Sequence, residues 1–233
     1  MATWLQPAGL RFLRSLAKNN DRAWFGERKE IFLAEVQAPY FALIEAVNEH
    51  MLRYAPEHVR PANKVALRIY RDTRFSADKR PIKEHFGAWW SRAGMKKTSG
   101  AGFYMHIGPK DVVIAAGIFM PTPEQLTKMR AYLAENHDEV RRMLQARALR
   151  KHMPDAEMDA MKRVPKGYAA DHPAEDLLRA RRLGVSITLP PEEMLSKDLT
   201  KRVTAAFQMA APLVHALNTP LVKRAPVRAK PLF

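Results

Sequence analysis

The sequence predicts an α+β protein in which a small antiparallel β-sheet, a central strand plus a hairpin, packs with N-terminal and C-terminal helices. Three patterns carry this reading. Apolar residues recur at intervals of three and four up to residue 54 and again from residue 199 to 217, as on the buried faces of helices. Residues 64–72 alternate with period two, as a half-buried strand does. Two β-rich runs, 101–108 and 111–119, flank Pro109-Lys110 and read as a hairpin.

In order along the chain, Leu10, Phe12, Leu13, Leu16 and Ala17 line a short first helix that stops at Asn19-Asn20. Asp21 can cap a second helix carrying Trp24, Phe25, Phe32 and Val36. Pro39 breaks or kinks the helical run before Tyr40, Ile44, Val47, Met51 and Tyr54. In the segment from Lys64, Val65, Leu67 and Ile69 share an apolar face while Lys64, Ala66, Arg68, Tyr70 and Asp72 share the other. Trp89-Trp90 and a flexible stretch with Lys96 and Lys97 lead to the hairpin. A two- or four-residue connection there pairs residues whose numbers sum to 219, which sets Gly102 opposite Gly117 and Tyr104 opposite Ala115. Phe103, Met105, Ile107, Val112 and Ile114 then face the core. Tyr104, His106, Ala115 and Gly117 face the other way, where small residues leave room for a ligand or for a packed helix. Thr122-Pro123-Glu124-Gln125 is a capping box that opens a helix. A further helix is expected over Asp138 to Arg150, a turn at Val164 to Tyr168, and a short strand through Val185, Ile187 and Leu189. Ser196 is placed to cap a long last helix, kinked at Pro212.

Composition bounds the function classes. Net charge is +15, and removing the four bases of the last thirteen residues (Lys223, Arg224, Arg228, Lys230) leaves +11 for the body. Residues 1–220 are expected to form a single domain, with 221–233 an unstructured basic tail. Such a balance favours phosphates and other anions as partners. The absence of cysteine excludes disulfides, thiolate catalysis and Cys-type zinc sites, and the eight histidines fall at no metal-ligand spacing. No targeting or membrane segment is read, so the expected location is the cytoplasm, with no membrane partner. Phosphate-loop, dinucleotide, serine-hydrolase and HExxH motifs are absent; neither a cofactor nor an enzyme class is indicated.

The chemistry concentrates between Lys64 and Lys83. Seven basic residues stand there (Lys64, Arg68, Arg71, Arg74, Lys79, Arg80, Lys83) against Asp72 and Asp78, a local balance of +5. Guanidinium groups are satisfied by carboxylates or phosphates, and two aspartates do not suffice for all of them. Arg71 and Arg74 are expected to act together, one held by an aspartate and the other facing an anion. Tyr70 and Phe75 among the charges suggest an ordered loop. A solvated basic connection is the plainer reading.

The run RIYRDTRFSADKRPIK, with NNDRAWFGERK before it and VPKGYAADHPAEDLL after it, resembles a family of bacterial and fungal proteins classed as a domain of unknown function, family 2461. The similarity extends over about residues 10 to 217. It implies no activity. The family pattern usually has tyrosine after the proline, where Ile82 stands here. These motifs bring Arg22 and Lys29 beside the loop as candidates, add Ser76 to Tyr70, Asp72, Asp78, Lys79 and Lys83, and single out Lys166, whose amine a glycine turn can present to an anion.

Two readings of function follow. In one, Arg68, Arg71, Arg74, Lys79 and Lys83 converge on a pocket for a phosphate- or carboxylate-bearing small molecule, with Asp72, Tyr70 or His106 available for proton transfer. In the other, the bases spread over an open face and bind nucleic acid through its phosphates. A protein-interaction module with structural Arg-Asp networks is a third.

Overall fold

The computed structural model describes residues 4–74 and 77–222. The N-terminal region is helical: α1 (Pro7–Lys18), α2 (Arg22–Glu27) and α3 (Lys29–Phe32), followed by a π-helical turn (Leu33–Gln37) and α4 (Ala38–Met51). The Asp21 carboxylate accepts from the Trp24 amide at 2.8 Å, as its sequence position anticipates. Pro39 has no N–H for the Glu35 carbonyl, and the helix widens there instead of ending. Gly9 of α1 packs against that same carbonyl, so closely that a Cβ would stand 2.5 Å from it.

A short helix α5 (Ala62–Val65) precedes the sheet, whose strands are β1 (Phe86–Ser91), β2 (Gly102–Ile107), β3 (Val112–Ile118), β4 (Asp155–Ala160) and β5 (Ala180–Leu189). Between them lie α6 (Pro123–Gln145), α7 (Arg147–His152) and α8 (Glu175–Leu178), and α9 (Leu199–Asn218) closes the described chain. The sheet is antiparallel in the order β1-β2-β3-β5-β4. The fold class is therefore α+β, with a sheet larger than the sequence suggests. The hairpin register is the expected one, Gly102 opposite Gly117 and Tyr104 opposite Ala115.

The central strand expected at 64–72 does not form. Pro61 starts a helical turn through Val65, and beyond it the chain is extended but makes only two isolated bridges, Ala66 to Ala88 and Tyr70 to Ile82. The segment doubles back on itself, with the Arg71 N–H donating to the Pro81 carbonyl and the Lys83 N–H to that of Ile69. Its apolar alternation still buries Val65 and Ile69, but the charged partners on the other side need water, and a central strand would deny it to them. The neighbour of the hairpin is instead β1, whose adjacent tryptophans are buried on opposite faces. Three further boundaries differ. The helix over 138–150 is the continuation of α6, bent at Asn136 with a break before Arg147. Strand β4, exposed and rich in carboxylates, carries no apolar period. The last helix is capped at Asp198, whose amide the Ser196 hydroxyl accepts.

One face of the sheet is sealed by α4 and α9. Phe103 and Trp90 pack on Phe207, Phe86 packs on Phe32 and Tyr40, and the Tyr40 hydroxyl donates to the Met105 carbonyl at 2.9 Å. Asn218 makes two hydrogen bonds to the backbone of Ala101, tying the end of α9 to the start of β2. Beside this core His58 is fully buried. Its Nδ1–H donates to the Trp90 carbonyl at 3.0 Å, and its Nε2 has no hydrogen-bond partner among the described residues, the Glu57 carboxylate standing 3.9 Å away. Burial, only partly offset by that hydrogen bond, holds its pKa at about 4 instead of 6.5.

A base whose folded pKa is depressed makes the unfolded chain the better proton acceptor, so stability should fall as pH drops below 6.5 and level off near 4. The shift corresponds to a loss on the order of 3 kcal/mol. His58→Asn, which keeps a donor for Trp90 without titrating, should remove this share of the fall in urea unfolding and leave the share of His85 and His106, whose pKa values burial also lowers.

Candidate functional site

The charged loop is pinned to the body by one side chain. Asn20 donates its amide N–H to the Ile82 carbonyl at 2.9 Å and accepts from the Ile82 N–H at 3.1 Å. Ile82, where the family pattern usually carries tyrosine, is wholly buried. Within the loop the two aspartates are shared out. Asp78 takes Arg71 at 2.9 Å and Arg80 at 2.6 Å, and Arg80 also reaches Glu84. Asp72 accepts from Nε and Nη2 of Arg74 at 3.1 and 2.8 Å. Hydrogen bonds from Arg74 hold the Asp72 carboxyl at about 2, and those from Arg80 hold Asp78 well below the usual carboxylate range. Lys79 closes the loop on the Thr73 carbonyl at 3.1 Å. Arg71 and Arg74 are thus each paired with an aspartate, and neither is the open guanidinium that the sequence suggested.

The cations left over lie toward the sheet. The Lys83 amine is half-buried and has no hydrogen-bond or ion-pair partner among the described residues. Burial lowers its pKa, followed by the charges of Arg68 and Arg71. Lys97 donates to the Ala66 carbonyl, and its pKa is lowered by burial and then by Lys83, Lys64 and Arg60. The Arg71 Nε, also buried, is unpartnered. Every charged group that bears on these two lysines is therefore another cation.

Beyond Lys83, His85 stacks on His106 with ring centroids 4.5 Å apart, and burial, then His106 and Lys83, hold His85 at about 4. His106 joins two polar neighbours: its Nε2 lies 2.8 Å from Asp111 and its Nδ1 3.0 Å from the Tyr104 hydroxyl. A carboxylate only accepts, so Nε2 carries the proton, and Tyr104 then donates to Nδ1. Burial raises the pKa of Tyr104 and lowers that of His106, which keeps both side chains neutral.

Tyr104 also lines a cavity of about 390 Å³ on the sheet face turned away from α9. Trp89, Tyr104, Ala115 and Ser186 form one cross-strand row through β1, β2, β3 and β5. Rings lie over glycines on this face: a Cβ on Gly102 would meet the Trp89 indole at 2.9 Å, and one on Gly184 would meet Phe119 at 2.9 Å. The rim holds Leu67 and Thr98, the latter a β-branched residue at φ 64°, a conformation that costs about 1–2 kcal/mol. A second hollow, lined by Leu67, Arg68 and Lys97, adjoins the first across Leu67.

Of the residues singled out in the sequence, Arg68, Arg71, Lys83, Tyr104 and His106 come together. Arg68, 73% exposed, is 3.9 Å from Asp72. Tyr70 leans edge-on against Phe25 and lines neither hollow. Asp72, Arg74, Asp78 and Lys79 build the loop. Arg22 and Lys29 are exposed on α2 and α3 without a polar partner among the described residues. Lys166 is exposed in its expected turn, with Gly167 at φ 96°, but that turn follows β4, at the opposite edge of the sheet from β1. Ser76, Phe75 and the tail from 223 lie outside the described residues. His85, Lys97, Asp111 and Trp89 belong to the site without having been singled out, although the hairpin register already sets Asp111 within reach of His106. Among the described residues no group of three or more His, Asp or Glu could hold a metal ion, and no helix is long and apolar enough to cross a membrane.

The family model for conserved hypothetical proteins (DUF2461) matches residues 8–215, and the chain belongs to that family. No curated protein matches it.

Asn20→Ala removes both bonds to Ile82 and leaves a buried backbone group on each side unpaired. A loss of about 2 kcal/mol is expected, a fall in melting temperature on the order of 4–8 °C, read by calorimetry.

Proposed function

We propose that this protein binds a small molecule bearing a phosphate or carboxylate at Lys83, Lys97 and the Nε edge of Arg71, with Tyr104, His106 and Asp111 placed to exchange a proton with it. The observation that carries this reading is Lys83, a half-buried amine whose charged neighbours are cations and which lacks a partner among the described residues. Donors left in surplus are costly to bury and gain most from an anion, because charge-assisted hydrogen bonds are about twice as strong as neutral ones. The relay supports the acid-base part. A proton taken up by Tyr104 as it releases its own to His106 leaves an imidazolium beside Asp111, which stabilises it.

Nucleic acid is the second reading, and another surface favours it. Arg147, Arg150 and Lys151 of α7 are exposed and unpaired among the described residues. Binding there would weaken steeply with salt and would ignore substitutions at Lys83.

Lys83→Met separates the two. The fold depresses the pKa of Lys83, so at neutral pH the charged amine destabilises the folded state. The unliganded variant should therefore melt at a slightly higher temperature than the wild type. For the wild type, inorganic phosphate or pyrophosphate at a hundredfold excess over Kd should contribute about 2.7 kcal/mol. The variant should bind at least tenfold more weakly, while Arg74→Gln binds normally. Oligonucleotide binding that persists unchanged in Lys83→Met, with no binding of small anions by the wild type, would favour the second reading.

A further inference from the structure

Resting on that anion-binding reading, we infer that the ligand carries a flat heteroaromatic ring, which lies on the sheet in the cavity lined by Trp89, Tyr104 and Phe119, with its far edge at Glu157. The cavity volume of about 390 Å³ is that of a small-molecule site. Its floor is flat because the row running from Tyr104 continues through Ala115 to Ser186, two strand spacings or about 10 Å, with nothing larger than a hydroxymethyl group. Its walls are rings. Trp89 meets Phe119 edge to face at 5.9 Å and Tyr104 at a 45° tilt at 6.3 Å, arrangements in which an inserted ring finds both faces and edges to pack on.

Two polar features say that this ring has heteroatoms. The indole N–H of Trp89, a residue only 5% exposed, has no acceptor among the described residues. Left so, it costs the folded state a hydrogen bond; the nitrogen has almost no accessible surface, and a small turn of the indole would let a ring nitrogen or carbonyl restore the bond. At the β5–β4 end the Glu157 carboxylate accepts from the Ser186 hydroxyl at 2.9 Å and stands 3.7 Å from Arg182, with acceptor capacity left for an N–H of the ligand. A purely aliphatic body would satisfy neither. The anionic end is fixed by the opposite flank, since Thr98 at the rim follows Lys97 directly and Tyr104 leads through His106 and His85 to Lys83.

Isothermal titration with inorganic phosphate, ribose 5-phosphate, phenyl phosphate, CMP and AMP tests this on the full chain. At least one ring-bearing probe should bind tenfold or more tightly than ribose 5-phosphate. Ala115→Leu, which fills the floor, should abolish that gain and leave ribose 5-phosphate binding unchanged. Glu157→Gln, on the exposed edge strand, keeps the test open if the floor variant does not fold, and should weaken CMP or AMP at least threefold without affecting ribose 5-phosphate. If all the phosphates bind equally well, or if the ring's gain survives both substitutions, the inference is overturned while the anion site stands. If none of them binds, the anion-binding reading fails and this one fails with it.

Discussion

Two hydrogen bonds between the Asn20 carboxamide and the backbone of Ile82 decide where the charged loop stands. They act with the burial of Ile69 and Ile82, because the loop's backbone makes only isolated bridges and most of its ion pairs are partly exposed, where such pairs contribute little. Holding Ile82 places Lys83 and His85 next in line against the sheet. The same turn of chain supplies Asp21 as the cap of α2, so a short polar sequence both begins a helix and anchors a loop sixty residues away. The position of the surplus cations follows from that anchor more than from the cations themselves.

The two faces of the sheet divide the work. On one, aromatic side chains from α4 and α9 interlock with Phe86, Trp90 and Phe103 and provide most of the burial. On the other, glycines at 87, 102 and 184 let the rings of Tyr104, Trp89 and Phe119 lie low, which leaves a roofless space over Ala115 and Ser186. The Tyr104-His106-Asp111 chain borders that space and the cationic hollow adjoins it.

Much of the fold was legible in the sequence. Pro109-Lys110 gives the same hairpin register for a two- or a four-residue connection, and Asp21 and the Thr122 box mark helix starts by their hydrogen-bonding capacity alone. The failure at 64–72 is instructive, since Val65 and Ile69 are indeed buried while the backbone is not laddered: period two reports which side faces the core, not whether a neighbour is present to pair. Strand β1 escaped notice because burial on both faces erases alternation, and β4 because exposure on both faces does the same. For the site, the surplus of bases over acids could be counted from the sequence, but which base goes unpaired depends on loop geometry. Arg74, expected to face an anion, found Asp72 two residues away. Lys83 did not find one, and Lys97 approached it from another segment altogether.

The carboxylates of β4 have a consequence for the molecule among its copies. At one edge of the sheet, β1 is shielded by the segment that bridges at Ala66. At the other, β4 has no further strand beside it among the described residues, and such an edge is the usual point at which sheets grow from chain to chain. Asp155, Glu157 and Asp159 recur there at every second residue, so a second β4 docking alongside would set carboxylate against carboxylate along its whole length. Like charge facing like charge lets the sheet end at five strands with no sixth element over that edge among the described residues.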